Sequence, residues 1–223
     1  MTAIDIATRV GVVRERITEA ARRAGRDAAD VTLVAATKTV DASRIAGVLA
    51  AGVADLGENR AQELLAKAPA LAAEPFPCRW HFVGRLQRNK VAALAAWVSL
   101  WQSVDREPLG VAIARRAPGA EVLVEVNVGE EGQKGGCVPG QAPALVDALR
   151  EEGLQVRGLM TVHPQAGDPR RWFATLRTLG ARLGLPELSM GMSDDYELAI
   201  EEGATIVRVG RALFGEREAA ARP

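Results

Sequence analysis

The chain has 223 residues, its 28 basic and 28 acidic side chains balance to zero net charge, and 48% of its residues are hydrophobic. That length supports one well-buried core. Zero net charge gives no electrostatic basis for capturing nucleic acid or an anionic membrane, although basic residues can still cluster locally.

Cys78 and Cys137 are the only cysteines and His81 and His163 the only histidines. They are too few and too scattered for a disulfide framework or a zinc site, so both thiols are expected to be reduced and no metal is expected. The N-terminus has no basic segment followed by an apolar core, and no later segment is long enough to span a bilayer, which predicts a cytoplasmic protein.

Near the start, Val10, Val13, Ile17 and Ala21 recur at helical spacing, with Arg14, Glu15, Arg22 and Arg23 mostly elsewhere around the turn. This predicts an amphipathic first helix. Residues 31–37 are short, apolar and β-branched enough for a buried strand. Asp41 can cap a helix whose Ile45, Val48 and Leu49 share a face, and Gly52 suits the left-handed stop that ends many helices.

The strand-helix unit then recurs. Strand 53–57 precedes a helix near 59–68, strand 79–83 a helix starting near Gln87, and strand 100–104 a helix starting near Arg106. Strand 121–126 precedes a helix between 141 and 151, and strands 154–161, 187–190 and 205–209 follow. Such alternation implies a parallel sheet with helical crossovers, and about eight units match the (β/α)8 or TIM barrel. A doubly wound open sheet is the competing fold, since local periodicity does not reveal closure. The lack of a Gly-x-Gly-x-x-Gly fingerprint after the first strand counts against it. One domain is expected over 1–223, ending in a mobile tail from about Glu216.

Lys38 lies where the first strand gives way to a loop, the end at which barrels build their sites. Flanking apolar residues would disfavour its ammonium form and leave an amine able to attack an aldehyde; a solvated loop lysine is the plain alternative. Asn59 and Gln62 have the spacing of a capping box, and an amide at the mouth can also hydrogen-bond a polar ligand atom. His81, on a strand before a glycine turn, reads as a hydrogen-bonded core residue or one packed beneath a ligand. Gln87 and Asn89 can cap the next helix, while Arg85, Arg88 and Lys90 read as solvated.

Two late strand ends supply an anion site. Ser193 can cap the helix that begins with Asp194, and Gly210 and Arg211 open a short helix whose free N–H groups attract an anion. Phosphate binding after the last two strands recurs in barrels. Asp194 and Asp195 would repel an anion if they pointed inward, so both are expected to face outward. Arg208 sits inside the apolar run 205–209, where a guanidinium is costly without an acceptor, so it wants one inside the barrel.

Taken together, Ala36-Thr37-Lys38, Leu56-Gly57-Glu58-Asn59, Trp80-His81-Phe82-Val83-Gly84 with Leu86-Gln87 and Asn89-Lys90, Ser103-Val104-Asp105, Val126-Asn127, Gly158-Leu159-Met160, and 188–194 with Val207-Arg208-Val209-Gly210 form an ordered set. It closely resembles the pyridoxal-phosphate homeostasis proteins, the YggS/PROSC family, across nearly the whole chain. The resemblance implies the barrel of fold-type III pyridoxal-phosphate enzymes such as alanine racemase, here with an extra N-terminal helix. It implies that Lys38 holds pyridoxal 5'-phosphate (PLP) as a Schiff base, that Ser193 and Gly210 contact its phosphate, that Arg208 faces the pyridine nitrogen, and that Asn59 lines the pocket. An arginine at the ring nitrogen keeps it unprotonated and limits the ring as an electron sink. Arg60 stands where the family often has tyrosine, and Arg211 where threonine or serine is frequent; Arg211 can add a charge to the phosphate site. The loop 129–137 also differs in detail but keeps its Lys134, a second acceptor if not simply a solvated lysine.

The function implied is that of a cytoplasmic carrier or reservoir, a monomer that binds PLP reversibly and hands it to PLP-dependent apoenzymes. An amino-acid racemase is the alternative, although the racemases of this fold add a C-terminal β domain with a catalytic tyrosine. The only tyrosine here, Tyr196, lies in a predicted helix beside Ser193. A Schiff-base aldolase without cofactor is a further rival that a barrel lysine alone would permit.

Overall fold

The computed structural model describes residues 3–164 and 166–215. Eight parallel strands close into a barrel in chain order: β1 (Thr32–Ala36), β2 (Asp55–Glu58), β3 (Arg79–Phe82), β4 (Val98–Val104), β5 (Glu121–Glu125), β6 (Gln155–Met160), β7 (Glu187–Ser189) and β8 (Ile206–Val209). Helix α1 (Ala3–Arg23) precedes the first strand. Helices α2 (Ala42–Ala50), α3 (Ala61–Leu71), α4 (Val91–Leu94), α5 (Glu107–Arg116), α6 (Ala142–Glu151), α7 (Pro169–Leu183), α8 (Tyr196–Glu201) and α9 (Arg211–Phe214) follow β1 to β8 in turn. This is the TIM barrel, and the open sheet is excluded. The tail expected from about Glu216 lies outside the described residues. No described helix is long and apolar enough to cross a membrane.

Local signals act as expected at several ends. Asp41 accepts from the Arg44 amide at 3.0 Å, and Gly52 takes φ +82° just past α2. Strand β2 starts at Asp55 rather than 53 because the Val53 amide still closes the helix terminus on Val48 O. The helix expected from Gln87 shrinks to a 3-10 turn, Arg88–Lys90, and the single turn of α4. Ser103 Oγ donates to Gly84 O at 2.5 Å and Arg106 Nη2 to Leu86 O at 2.8 Å, holding those residues against the next strand.

The barrel interior holds its own apolar cluster, Val34, Leu100, Leu123, Met160 and Ile206, separate from the larger core between strands and helices. Closure pairs Thr32, Leu33, Val34 and Ala35 of β1 with Ile206, Val207, Arg208 and Val209 of β8. Helix α1 lies over this seam, packing on α2, α8 and α9 with Val10, Val13, Ile17 and Ala21 buried. Polar contacts reach both sides: Arg14 Nη2 donates to Gly52 O at 2.7 Å, and Arg26 Nη1 to Ile200 O at 3.0 Å and Ala204 O at 2.8 Å.

Two glycines should respond in opposite senses to alanine. A Cβ on Gly158 of β6 would lie 1.9 Å from Glu187 O in the neighbouring strand, so Gly158→Ala must part β6 from β7 and cost about 3 kcal/mol. Gly11 of α1 is exposed with nothing within 4 Å of its Cβ position, so Gly11→Ala should stabilise by about 0.5–1 kcal/mol through helix propensity. Urea midpoints of the two variants check both signs.

Candidate functional site

Lys38 is exposed in the turn after β1, so burial does not strip its amine of water as its apolar sequence neighbours suggested. What fixes the turn lies beneath it. Thr39 adopts φ +62°, unfavourable for a β-branched residue, and its amide donates to Glu63 Oε2 at 2.7 Å. Lys67, 11% exposed, donates to Glu63 Oε2 at 2.8 Å, to Glu58 Oε2 at 2.8 Å and to Thr37 O at 2.9 Å. Thr37 Oγ1 adds a 3.0 Å bond to the fully buried Glu58. Burial acts to raise the Glu63 pKa, but hydrogen bonds from Lys67 and the Thr39 amide carry it below its ordinary value. Removing one member of such a set would strand a buried charge.

Asn59 follows directly on β2. The expected capping box does not form: Arg60 is the N-cap of α3 without a side-chain bond, because the Asn59 amide is already taken by Glu58 Oε1 at 2.9 Å. Asn59 Oδ1 is buried with no protein partner, an acceptor open to a ligand donor. Beside it opens a cleft of about 540 Å³ lined by Asn59, Gln62 and the cations Arg60, Arg85, Lys90 and Arg106. Basic residues thus cluster at the mouth of a chain with no net charge.

Across the mouth the loops after β7 and β8 meet. Ser193 does not cap the helix that follows it. Its Oγ accepts from the Gly210 amide at 3.1 Å and the Ala212 amide at 3.4 Å, so it caps α9 and joins the two loops. A Cβ on Gly210 would come within 3.2 Å of Ala36 O, so glycine lets the β8 end approach the residues before Lys38. Asp194 faces outward as expected, with its side chain 77% exposed and paired with Arg211. That pairing occupies the charge Arg211 could bring to an anion.

Asp195 departs from the outward expectation. It turns inward to accept from the Met192 amide at 2.6 Å and to meet His163 Nε2 at 2.7 Å. His163 Nδ1 lies 2.5 Å from Pro164 O. Both partners of the ring are acceptors, an arrangement that favours a proton on each nitrogen and so the imidazolium form. The Asp195 hydrogen bond raises the His163 pKa against the desolvation that would lower it. The His163 ring and the Met192 amide together satisfy the half-buried Asp195 carboxylate.

The acceptors Arg208 was expected to need are present. Its Nη1 donates to Ser189 Oγ at 2.6 Å and its Nη2 to Thr161 O at 2.8 Å. Burial pushes the guanidinium down to about 10, with Glu125 and Asp195 pulling the other way. Burial, aided by Asp105, pushes the nearby Glu125 carboxyl up to about 7. His81 is a buried hydrogen-bonded residue, 2.9 Å from Asp55 Oδ1 and 2.7 Å from Gln102 Nε2. Lys134 is half-buried, donating to His163 O at 2.9 Å and pairing with Glu131 at 2.6 Å, rather than solvated. Tyr196 is buried in the main core, where burial raises its phenol.

Closure brings Lys38, Ser193, Gly210 and Arg208 to one end of the barrel, with Asn59 on the adjoining rim. Glu58, Lys67, Glu125, His163 and Asp195 were not marked by sequence reasoning as parts of the mouth. Gln102 and Ser189 carry the same signal as Arg208, a polar side chain buried inside the barrel.

The alanine racemase N-terminal domain family matches residues 11–218. The chain is 43% identical to the pyridoxal phosphate homeostasis protein of Pseudomonas aeruginosa, over 96% of each chain. It is 45% identical to that of Aquifex aeolicus, over 94% of this chain and 97% of the relative. Among solved structures, PipY of Synechococcus elongatus with PLP bound superposes with a TM-score of 0.81 at 33% identity, covering 94% of this chain and 100% of PipY.

The His163–Asp195 pair gives a pH signature. A raised imidazole contributes stability in full below its ordinary value of 6.5 and loses it as pH rises through the folded value. A lowered Asp195 contributes above 3.8 and loses it as pH falls. His163→Gln should therefore cost most between these limits, about 2 kcal/mol, and progressively less at alkaline pH. Urea unfolding at pH 5 and pH 9 reads the difference; an equal deficit at both would refute the imidazolium.

Proposed function

The chain belongs to the pyridoxal phosphate homeostasis protein family, and from that premise we propose that it binds PLP reversibly at Lys38 and serves as its carrier or reservoir. The observation that carries this reading is the β1–β8 seam, which puts an exposed lysine beside the Ser193–Gly210 junction and above the buried Arg208. The residues fit such a ligand. Asn59 offers an open buried acceptor, Gly210 leaves space that a side chain would fill, and the cations of the neighbouring cleft favour an anion.

When bound, PLP supplies an aldehyde that an amine can hold and release. Lys38 would provide that amine. Ser193 and Gly210 would hold the phosphate, with Arg211 contributing at its edge where the phosphate displaces its exposed partner Asp194. Arg208 would meet the ring nitrogen as a pure donor and keep it unprotonated, which suits storage better than carbanion chemistry. The clamp of Glu58, Glu63 and Lys67 holds the turn while leaving the Lys38 side chain accessible, so a competing amine can reach it. In its finer form the reading is a single 1–223 barrel domain acting as a cytoplasmic monomer that supplies PLP-dependent apoenzymes. Coverage of 96% and 97% of two curated relatives supports the first of these.

Protein mixed with PLP should absorb in the visible, and borohydride should fix the added mass on Lys38. Lys38→Ala should abolish that label, and Asn59→Ala should weaken affinity about ten-fold. A label elsewhere with Lys38 unmodified would overturn the assignment. Transfer to an apoenzyme should outpace the free-ligand control for the wild type. Deuterium exchange at Cα of amino acids well above the rate with free PLP would instead favour a racemase.

A further inference from the structure

Five buried side chains form a continuous string through the barrel, from Arg208 on the mouth side to Asp55 at the start of β2. Arg208 Nη1 lies 2.6 Å from Ser189 Oγ, and Ser189 Oγ 2.6 Å from Gln102 Oε1. Gln102 Nε2 lies 2.7 Å from His81 Nδ1, and His81 Nε2 2.9 Å from Asp55 Oδ1. Asp55 Oδ2 then accepts from Arg79 Nη2 at 2.7 Å, on a side chain that is 63% exposed.

Donor chemistry fixes the direction at every step. A guanidinium only donates, so Ser189 accepts from Arg208 and its single proton goes to Gln102 Oε1. The Gln102 amide therefore presents its NH₂ to His81, and Nδ1 must accept. The ring proton sits on Nε2 and faces Asp55, a carboxylate that only accepts. Flipping the amide would make Ser189 accept from both Gln102 and Arg208, leave the serine proton unplaced, and force His81 to donate from both nitrogens. In this order Nδ1 of His81 accepts and Nε2 donates, whereas both ring partners of His163 are acceptors.

We propose that Ser189, Gln102, His81 and Asp55 are positioning residues for Arg208, a one-way hydrogen-bond chain that fixes its guanidinium for the cofactor ring and couples it to the opposite end of the barrel. This rests on the reading of Arg208 as the residue that meets the ring nitrogen. The chain runs from a cation to an anion with all its dipoles aligned, so each bond polarises the next. With Nη1 held by Ser189 and Nη2 by Thr161 O, the guanidinium plane has little freedom to turn. A change in what Arg208 donates to alters the bond at Ser189, and through Gln102 the bond at His81. His81 matters here without touching the ligand, which accounts for a histidine inside the barrel that the binding site itself does not require.

The test reads the imidazole nitrogens by ¹⁵N NMR in full-length protein, where two histidines keep the spectrum simple. At pH 7 the ligand-free wild type should show His81 protonated on Nε2 and bare on Nδ1; a protonated Nδ1 overturns the proposal with no variant needed. Adding PLP should shift the His81 Nδ1 resonance. In Ser189→Ala that shift should be lost, and in Ser189→Thr, which keeps the hydroxyl, restored. Borohydride labelling of Lys38 in each sample confirms loading. Persistence of the shift in Ser189→Ala, or its absence in loaded wild type, refutes the coupling. Should Lys38 fail to label at all, the cofactor reading falls, while the ligand-free spectrum still decides the donor order.

Discussion

When β8 pairs with β1, residues from opposite ends of the sequence become neighbours: Val34 stands opposite Arg208 and Ala35 opposite Val209. The mouth depends on that pairing. Lys38 leaves one strand of the pair and Gly210 the other, with only Ala36 between the two loops at the point of closest approach. Without closure the lysine would have no anion site beside it, and Arg208 would lie on an exposed edge strand. The fold thus makes the site by bringing together pieces that are each unremarkable alone.

Charge inside the barrel is handled by pairing rather than exclusion. One part of the interior is apolar, built from Val34, Leu100, Leu123, Met160 and Ile206. Beside it runs the polar string that ends on Asp55, where burial alone would raise the carboxyl but hydrogen bonds from His81 and Arg79 hold it low. A second set, Glu58 and Glu63 on Lys67, anchors the lysine turn from outside. Such arrangements are specific rather than strongly stabilising, because desolvation offsets much of their attraction. The two histidines differ in their partners: His81 lies between an amide nitrogen and a carboxylate, His163 between two acceptors.

The sequence was legible where a local rule suffices. Asp41, Gly52 and the buried face of α1 follow from capping and helical period, and the count of alternating units gave the barrel. Arg208 was legible because a guanidinium in an apolar strand has few solutions. Long-range partners were not. Ser193 reads as the cap of the helix that follows it, but its Oγ takes amides at the start of α9 instead, reached only through the β7–β8 contact. Asp195 faces inward because His163, in a different loop, meets it at 2.7 Å. Asn59 and Gln62 fit a capping pattern, yet Glu58 holds the Asn59 amide first. In each case the deciding group is distant in sequence or competes at a neighbouring position, and periodicity carries no trace of it.

Helix α1 is made before all eight strands, yet its partners α8 and α9 and the β8 side of the seam it covers come more than 170 residues later. A ribosome-bound chain therefore carries an amphipathic helix with half its apolar face unmatched, and a growing parallel sheet whose first strand has an open edge. Non-local closure of this kind is slow and leaves an aggregation-prone intermediate. Nascent chains shorter than about 200 residues can form neither the seam nor the bonds from Arg26 to Ile200 and Ala204. Ligand competence should thus arrive in one step, once β8 and α9 have emerged and the seam has closed.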